Sequence, residues 1–360
     1  MTTETSELRT TLRTMLANTC PPEEVVAAES HGWNERVWKT LREGGFHTIA
    51  LPESAGGSGG TLTDACVVLQ ELGRASGSVP YAEHALVGGW LLTASGRDVP
   101  EDVAVVGCEA PDAIIVDETV NGVATRVPYG RAAEWIIVLA PEGDGARAAL
   151  VPASATTIEP GRNLADEARD TIHFDAVPAT ETWDVDADAL EQARLRTAFA
   201  RSALIAGALE RVLQLSVRYT GEREQFGRPI ARFQAVQRHL VKIAEHAHLA
   251  KMAVDAAAFG DRDDLDRSST AVAKIVASQS ASAASGHAHQ AHGAIGMTKE
   301  YELGQLSRRL WSWRDEGGTA QHWSRSLGAL VAGAGKDEVW PLVSAGTALT
   351  SPPRDSADVA

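Results

Sequence analysis

The sequence predicts a mostly α-helical protein with a β domain set in its middle, and three observations carry that expectation. Leu8, Leu12, Met15 and Leu16 recur at helical spacing near the N-terminus, and Ala65, Val68, Leu69 and Leu72 repeat it after a glycine-rich break. Short β-rich runs follow, Val103 to Val106, Ile114 to Val116 and Trp135 to Leu139, separated by Asp, Asn, Gly and Pro. From Leu190 onward helical periodicity returns. Phe233, Val236, Leu240, Ile243, Ala247 and Ala250 step by threes and fours along one stripe, which should face a helical bundle.

Boundaries follow from turn and cap residues. Gly96-Arg-Asp-Val-Pro100 closes an N-terminal helical domain, residues 1–100. Asp184 to Asp188 supply candidate caps before a long helix starting near Leu190, which sets a middle β domain at 101–187 and a C-terminal helical domain at 188–345. Gly260 to Asp266 reads as a solvated helix-to-helix loop, and the tail 346–360, with two prolines among small polar residues, reads as disordered. No fixed-period repeat is visible.

Composition narrows the function classes. At 360 residues and 44% hydrophobic content the chain can bury a sizeable core. A net charge of −15 argues against nucleic acid as a partner, because a phosphate backbone would be repelled. The N-terminus has neither a basic region nor an apolar one, and no apolar run reaches membrane-spanning length, so a cytoplasmic location with no membrane partner is expected. Cys20, Cys66 and Cys108 are scattered without metal-ligand spacing and read as reduced structural thiols. His287, His289 and His292 are spaced to spread around a helix rather than converge on a metal. Gly333-Ala-Gly-Lys336 lacks the spacing of a phosphate loop and reads as a helix-ending turn; Gly56 to Gly60 lacks the strand and spacing of a dinucleotide fingerprint. Trp311 and Trp313 cannot share a helix face and read as packing residues.

Two stretches carry chemistry. Arg223-Glu-Gln-Phe-Gly-Arg-Pro-Ile230, followed by Arg232-Phe-Gln-Ala-Val-Gln237, joins a guanidinium, amides and an aromatic at a helix-turn-helix junction. Gln290-Ala-His-Gly-Ala-Ile-Gly-Met-Thr-Lys-Glu-Tyr301 places an amide before two glycines. Arg223 supplies a donor that cannot lose its charge, and Gly293 and Gly296 would let backbone amides approach anionic oxygens. Phe226 offers an apolar surface, and Gln290 both a donor and an acceptor. The plainer reading pairs Arg223 with Glu222 or Glu224 and buries Phe226 in the core.

Both stretches resemble the C-terminal signature of the acyl-CoA dehydrogenase family, in which the first reaches across a subunit interface to hold the adenosine diphosphate half of FAD. Gly45 to Gly60 and Leu69-Gln-Glu-Leu-Gly73 look like the family's entry loop and following helix. The resemblance implies the family's fold, with a helical N-terminal domain, a middle β domain (here shortened) and a C-terminal four-helix bundle. It also implies an acyl-CoA substrate and an FAD site at Arg223, Gln225, Phe226, Gln234, Gln290 and Gly293.

Other family features are missing. The carboxylate base that the resemblance predicts falls at Gly317 (Gly318 if the register shifts by one) or, 26 residues before Arg223, at Thr197. Neither carries a base. Glu316 is the nearest carboxylate, displaced by one or two residues. Cys108-Glu-Ala-Pro-Asp112 and Val127-Pro-Tyr-Gly130 stand where the family carries its flavin-ring motifs. Retained adenosine-side motifs with lost ring-side motifs resemble the non-catalytic subunit of the heteromeric α2β2 steroid-type acyl-CoA dehydrogenases of actinobacteria. That resemblance implies an FAD shared with a homologous partner subunit that carries the base. The alternatives are a self-sufficient homomeric flavoenzyme, using Glu316 or catalysing another flavin reaction, and a flavin-free scaffold with this fold.

Overall fold

A computed structural model describes residues 3–100, 105–259, 263–298 and 301–345. Val103 and Ala104, Gly260 to Arg262, Lys299, Glu300 and the tail from 346 lie outside the described residues.

The N-terminal helices are α1 (Thr3–Thr19), α2 (Pro22–Glu29), α3 (Glu35–Glu43), α4 (Leu62–Arg74) and α5 (Gly89–Ala94). Leu12 and Leu16 of α1 are buried, as are Ala65, Val68, Leu69 and Leu72 of α4, so both sequence stripes face the core. A capping box starts α4: Asp64 N–H donates to Thr61 Oγ1 at 3.3 Å, and Thr61 N–H to Asp64 Oδ2 at 2.8 Å. Ala82–Gly88, a π-helical stretch leading into α5, was not expected from sequence.

Two sheets follow. Strands β1 (Val105–Glu109), β2 (Ile114–Val116), β3 (Thr119–Pro128), β4 (Trp135–Glu142), β5 (Gly145–Pro152), β6 (Thr157–Glu159), β7 (Arg169–Pro178) and β8 (Glu181–Val185) divide into sheets ordered β1-β4-β5-β8 and β2-β3-β7-β6. Alternation along β4 explains the layering. Ile136 and Val138 pack with Val127, Ile172 and Phe174 of the second sheet. Ile137 and Leu139 point the other way and pack with Leu91, Leu190 and Ala193. The first sheet is thereby pressed onto the helices.

Helix α6 (Ala187–Glu222) begins three residues before Leu190, capped by the Asp186 carboxylate, which accepts from Ala189 N–H at 2.8 Å. The hairpin β9 (Glu224–Gln225) and β10 (Arg228–Pro229) leads to α7 (Gln234–Ala257), then α8 (Arg267–His292), α9 (Glu302–Trp313), α10 (Ala320–Ala334) and α11 (Lys336–Ala345). Helices α6, α7, α8 and α10 pack as a bundle, with α9 against α6 and α8. In the predicted stripe of α7, Ile243, Ala247 and Ala250 are buried whereas Phe233, Val236 and Leu240 at its N-terminal end are half-buried. Gly335 (φ 90°) ends α10, so the turn read from Gly333 to Lys336 is a helix terminus. Trp313 is buried, but Trp311 is 42% exposed, with the Arg314 guanidinium 3.9 Å from its ring centroid. Trp313 thus packs inside, whereas Trp311 packs at the surface under a cation–π cover from its neighbour.

Helices α4 and α6 cross closely at two glycines. A Cβ on Gly207 would lie 1.8 Å from Gln70 O, and one on Gly73 would lie 2.0 Å from Leu204 O. Backbone contact at this crossing fixes α6 against the N-terminal helices.

Candidate flavin half-site and the missing base

Chain direction brings the two signature stretches together. Antiparallel α6, α7 and α8 put the end of α6, the start of α7 and the end of α8 at one end of the bundle. Ring contacts tie them: Tyr219 of α6 stacks on His292 of α8 with centroids 4.7 Å apart, and both rings contact Tyr301. Arg223 closes α6, its N–H donating to Tyr219 O at 2.8 Å and its carbonyl accepting from Ile230 N–H at 2.8 Å. Its guanidinium has no side-chain partner among the described residues, so the pairing with Glu222 or Glu224 does not form. Phe226 (φ 54°) and Gly227 (φ 75°) make the hairpin turn, with φ positive at both central positions. That turn lifts the Phe226 ring out of the protein at 92% exposure, with an edge contact to Phe233 at 6.0 Å. A core role for Phe226 is thereby corrected. Gln225, Gln234 and Gln290 are also exposed.

Gly293 and Gly296 behave differently from each other. The Gly293 N–H caps α8 by donating to His289 O, and φ 64°, ψ −144° is a conformation that side chains avoid. No atom lies within 4 Å of the position a Cβ would take there. Gly293 therefore offers room rather than a free donor. Gly296 is buried, and a Cβ there would meet His292 Cβ at 3.0 Å, which makes it a packing residue rather than an anion contact.

The base positions also meet. Gly317 (φ 67°) lies against α6, where a Cβ would stand 3.1 Å from Ala198 Cα and 3.2 Å from Thr197 O. Thr197 donates its hydroxyl to Ala193 O at 2.9 Å. Two cavities adjoin here. One, of about 430 Å³, is lined by Glu109, Arg194, Thr197, Gly317 and Trp323 among others. The second, of about 180 Å³, shares Glu109 and Thr197 and extends to Glu83, Cys108 and Arg201. Arg194 holds both Glu109 oxygens at 3.0 and 2.7 Å, tying the end of β1 to α6 across the junction. Both partners are substantially exposed, so this pair contributes at most about 1 kcal/mol and is a light closure.

Glu316 is far more firmly committed. Arg169 Nε and Nη2 donate to its two oxygens at 2.9 and 2.7 Å, Arg201 Nε lies 2.8 Å away, and Asn163 Nδ2 donates at 3.1 Å. The network continues inward. Arg201 pairs with Glu83 at 2.5 Å, Arg169 and Arg309 pair with Glu167 at 3.1 and 3.4 Å, and Trp313 Nε1 donates to Glu167 at 2.8 Å. Three carboxylates thus face three guanidiniums. Burial alone would raise the Glu316 carboxyl, but Arg169 and Arg201 overcome it and hold it at about 2. Burial would likewise lower Arg169 and Arg201, yet the facing carboxylates hold both above their ordinary values. A carboxylate bound this tightly is a poor proton acceptor, which argues against Glu316 as the base. Sequence reasoning missed Glu83, Arg169, Arg201 and Arg309. The available signal was a lone arginine inside the apolar run Phe199 to Leu209.

Among the described residues no cluster of three or more His, Cys, Asp or Glu side chains is placed to hold a metal ion. The histidines do approach in part: His287 Nδ1 lies 3.0 Å from His239 Nδ1 across α7 and α8. Cys20, Cys66 and Cys108 are buried free thiols, each pushed up to about 12 by burial. No helix among the described residues is long and apolar enough to cross a membrane.

Comparison with known proteins places this geometry. Residues 2–100 match the family described as "Acyl-CoA dehydrogenase, N-terminal domain", and residues 183–328 match "Acyl-CoA dehydrogenase, C-terminal domain". Acyl-CoA dehydrogenase IpdE2 of Mycobacterium tuberculosis is 31% identical over 304 residues, covering 83% of this chain and 88% of the relative. The chain belongs to the acyl-CoA dehydrogenase family. Its fold also matches a chain of the ChsE4-ChsE5 complex from Mycobacterium tuberculosis, with a TM-score of 0.84 at 21% identity, covering 93% of this chain and 99% of that one. A second match is the Tcur3481-Tcur3483 steroid ACAD G363A variant, with a TM-score of 0.81 at 24% identity, covering 91% and 98%. Acyl-CoA dehydrogenases are FAD-binding proteins, and the residues present here fit the two ends of that cofactor unequally. Unpaired Arg223, exposed Phe226 and the open space at Gly293 fit the nucleotide end. At the ring end Gly317 and Thr197 carry no base, and Glu316 is consumed by Arg169 and Arg201.

Proposed function

We propose that this chain is the non-catalytic subunit of a heteromeric acyl-CoA dehydrogenase. In this reading it supplies the adenosine diphosphate half of an FAD site, and a homologous partner supplies the flavin-ring pocket and the base. The observation that carries it is the asymmetry between a guanidinium left unpaired at Arg223 and a carboxylate fully paired at Glu316. Distance supports sharing. Thr197 and Arg223 stand 26 residues apart on α6. At 1.5 Å per residue that is about 39 Å, farther than one extended flavin dinucleotide reaches, so the two ends of one chain face different flavins.

In that arrangement Arg223 holds the pyrophosphate, Phe226 covers the adenosine, and Gln225, Gln234 and Gln290 offer amide hydrogen bonds around it, while Gly293 leaves room for approach. Bound FAD supplies the hydride acceptor for α,β-dehydrogenation of an acyl-CoA. The residues of this chain bind and orient the nucleotide, and none of them takes the substrate's α-proton. Similarity to a solved steroid ACAD favours a steroid CoA thioester as substrate; a side-chain thioester, an α2β2 assembly and a cytoplasmic setting belong to the same proposal. The domain division at 1–100, 101–187 and 188–345 belongs to the same reading. A flavin-free scaffold would leave Arg223 and Phe226 without a ligand.

The experiment is expression of the chain alone and with a homologue that carries an intact base, followed by measurement of flavin per chain and acyl-CoA oxidation. Flavin and activity should be retained only in the complex. A yellow, stoichiometrically flavinylated homo-oligomer of this chain would overturn the proposal.

A further inference from the structure

A third cavity lies away from the candidate flavin half-site, bounded by α1, the start of α2, α4, α6 and α9. It measures about 280 Å³, and its polar lining includes Arg13, Glu71, Arg74, Arg211, Glu302 and Gln305. Exposed Ala17 and Pro22 stand at its rim and leave it open to solvent.

Two groups in this lining are unmatched. Arg13 is paired with Glu71 at 2.8 Å and Glu210 at 3.1 Å, Arg9 with Glu71 at 2.9 Å, and Arg211 with both Glu302 oxygens at 2.6 and 2.7 Å. Arg74 is left over. Its Nη2 donates to the neutral Gln214 at 3.0 Å, the closest carboxylate oxygen, on Glu210, is 4.0 Å away, and its buried Nε has no hydrogen-bond partner. Four guanidiniums here face the three carboxylates Glu71, Glu210 and Glu302, a local positive surplus in an otherwise acidic chain. The second unmatched group is Gln305, 2% exposed, whose Oε1 is buried without a partner. Its Nε2 donates to Pro22 O at 3.0 Å, which fixes the amide orientation, because a flipped amide would set two oxygens against each other.

A ligand that matches both groups is an anion for Arg74 and a hydrogen-bond donor for Gln305. Sulfate or a carboxylate meets only the first demand, and water, which can hydrogen-bond to both, brings no charge to Arg74. We propose that this cavity binds a phosphate that keeps a proton, either inorganic hydrogen phosphate or the monoanion of a phosphomonoester. Its anionic oxygens accept from Arg74, and its P–OH donates to Gln305 Oε1. The site stands on residues that the flavin reading does not use, so either can fail without the other.

The test is calorimetry and thermal unfolding of the full chain, alone or in its complex, at pH 6 and constant ionic strength, with inorganic phosphate, methyl phosphate and sulfate. At least one of the two phosphates should bind saturably, roughly tenfold or more tighter than sulfate, the value of one lost hydrogen bond to a charged group. The tighter of the two identifies the source. Arg74→Gln should abolish binding. Gln305→Met, close in volume and lacking the acceptor, should bind phosphate and sulfate equally while keeping the fold. Absence of saturable binding by both phosphates, sulfate binding as tight as phosphate, or unchanged preference in Gln305→Met overturns the proposal.

Discussion

Glu316 and Arg169 form a two-pronged buried ion pair, with Nε 2.9 Å from one carboxylate oxygen and Nη2 2.7 Å from the other. This pair stands one residue from Gly317, the position at which the family resemblance implies a catalytic carboxylate. The geometry converts the nearest available acid into a structural ion. Arg201, on the same helix as Thr197, takes the other side of Glu316 and links it to Glu83. The residue before the empty base position thus belongs to a charge-balanced cluster, while Glu109, Glu191 and His322 line the cavity beside Gly317 and Thr197.

Replacing Glu316 by Gln should cost stability and spare catalysis. An amide cannot neutralise the two buried guanidiniums it would leave, and breaking one side of a buried pair typically costs about 3–5 kcal/mol. Linkage gives the pH window. The carboxyl sits at about 2 against an ordinary 4.5, so its stabilisation is complete above pH 4.5 and is lost as pH falls through 2. Chemical denaturation should show a large loss for the variant at neutral pH and a shallower acid-side decline than wild type. Turnover per assembled complex should stay within a few-fold of wild type, whereas loss of a true general base removes about 10²–10⁴. Abolished turnover with flavin and assembly intact would return Glu316 to catalysis.

Arg223→Ala should weaken flavin retention in the complex without unfolding it. The guanidinium supports no side-chain contact within the chain, so its removal leaves the helix end held by backbone hydrogen bonds to Tyr219 and Ile230. Each charge-assisted hydrogen bond lost to a phosphate is worth about 1.5–3 kcal/mol. Lysine should restore only part of that affinity, because a point charge lacks the planar fork. Unchanged flavin content after gel filtration would show that the Arg223 guanidinium holds no part of the flavin and is simply solvated.

Much of this molecule was legible in the sequence, for identifiable reasons. The helical stripes of α1 and α4 and the cap region at Asp186 depend on local spacing, which a sequence displays directly. The Glu316 cluster was hidden because its members come from Glu83, Glu167, Arg169, Arg201, Arg309 and Glu316, brought together only by tertiary packing. Gly293 and Gly296 looked alike in sequence. Their roles separate because one ends a helix in open space and the other packs against His292. Trp311 read as a packing residue, and only the position of Arg314 shows that its packing is a cation–π cover at the surface.

Gly207→Ala should destabilise the chain although alanine is the better helix former. Helix propensity favours the change by about 1 kcal/mol, but the added Cβ would lie 1.8 Å from Gln70 O, a backbone atom that cannot swing away. Overpacking of this kind typically costs about 1–3 kcal/mol or more, so the steric term wins. Gly221→Ala, on the same helix with no atom within 4 Å of the new Cβ, is the control and should be neutral or stabilising. Equal melting temperatures for the two variants would show that α4 and α6 separate readily.

Reinstating a carboxylate by Gly317→Glu should fail to create a self-sufficient enzyme. Gly317 holds φ 67°, a left-handed conformation that costs a side-chain-bearing residue about 1–2 kcal/mol. Its Cβ would also stand 3.1 Å from Ala198 Cα, so the turn must shift, although Trp323 Nε1 holds it by donating to Gly317 O at 2.8 Å. Gly318 is no better, because a Cβ there would lie 2.6 Å from that same Trp323 Nε1. Gly317→Ala separates the two effects: it should lose most of the same stability, leaving a small remainder for the charge. Thermal unfolding of both variants, with acyl-CoA oxidation assayed on Gly317→Glu alone, tests the argument. If Gly317→Glu alone binds flavin and oxidises an acyl-CoA, this chain has kept a usable ring pocket and lacks only a base, and the half-site reading fails.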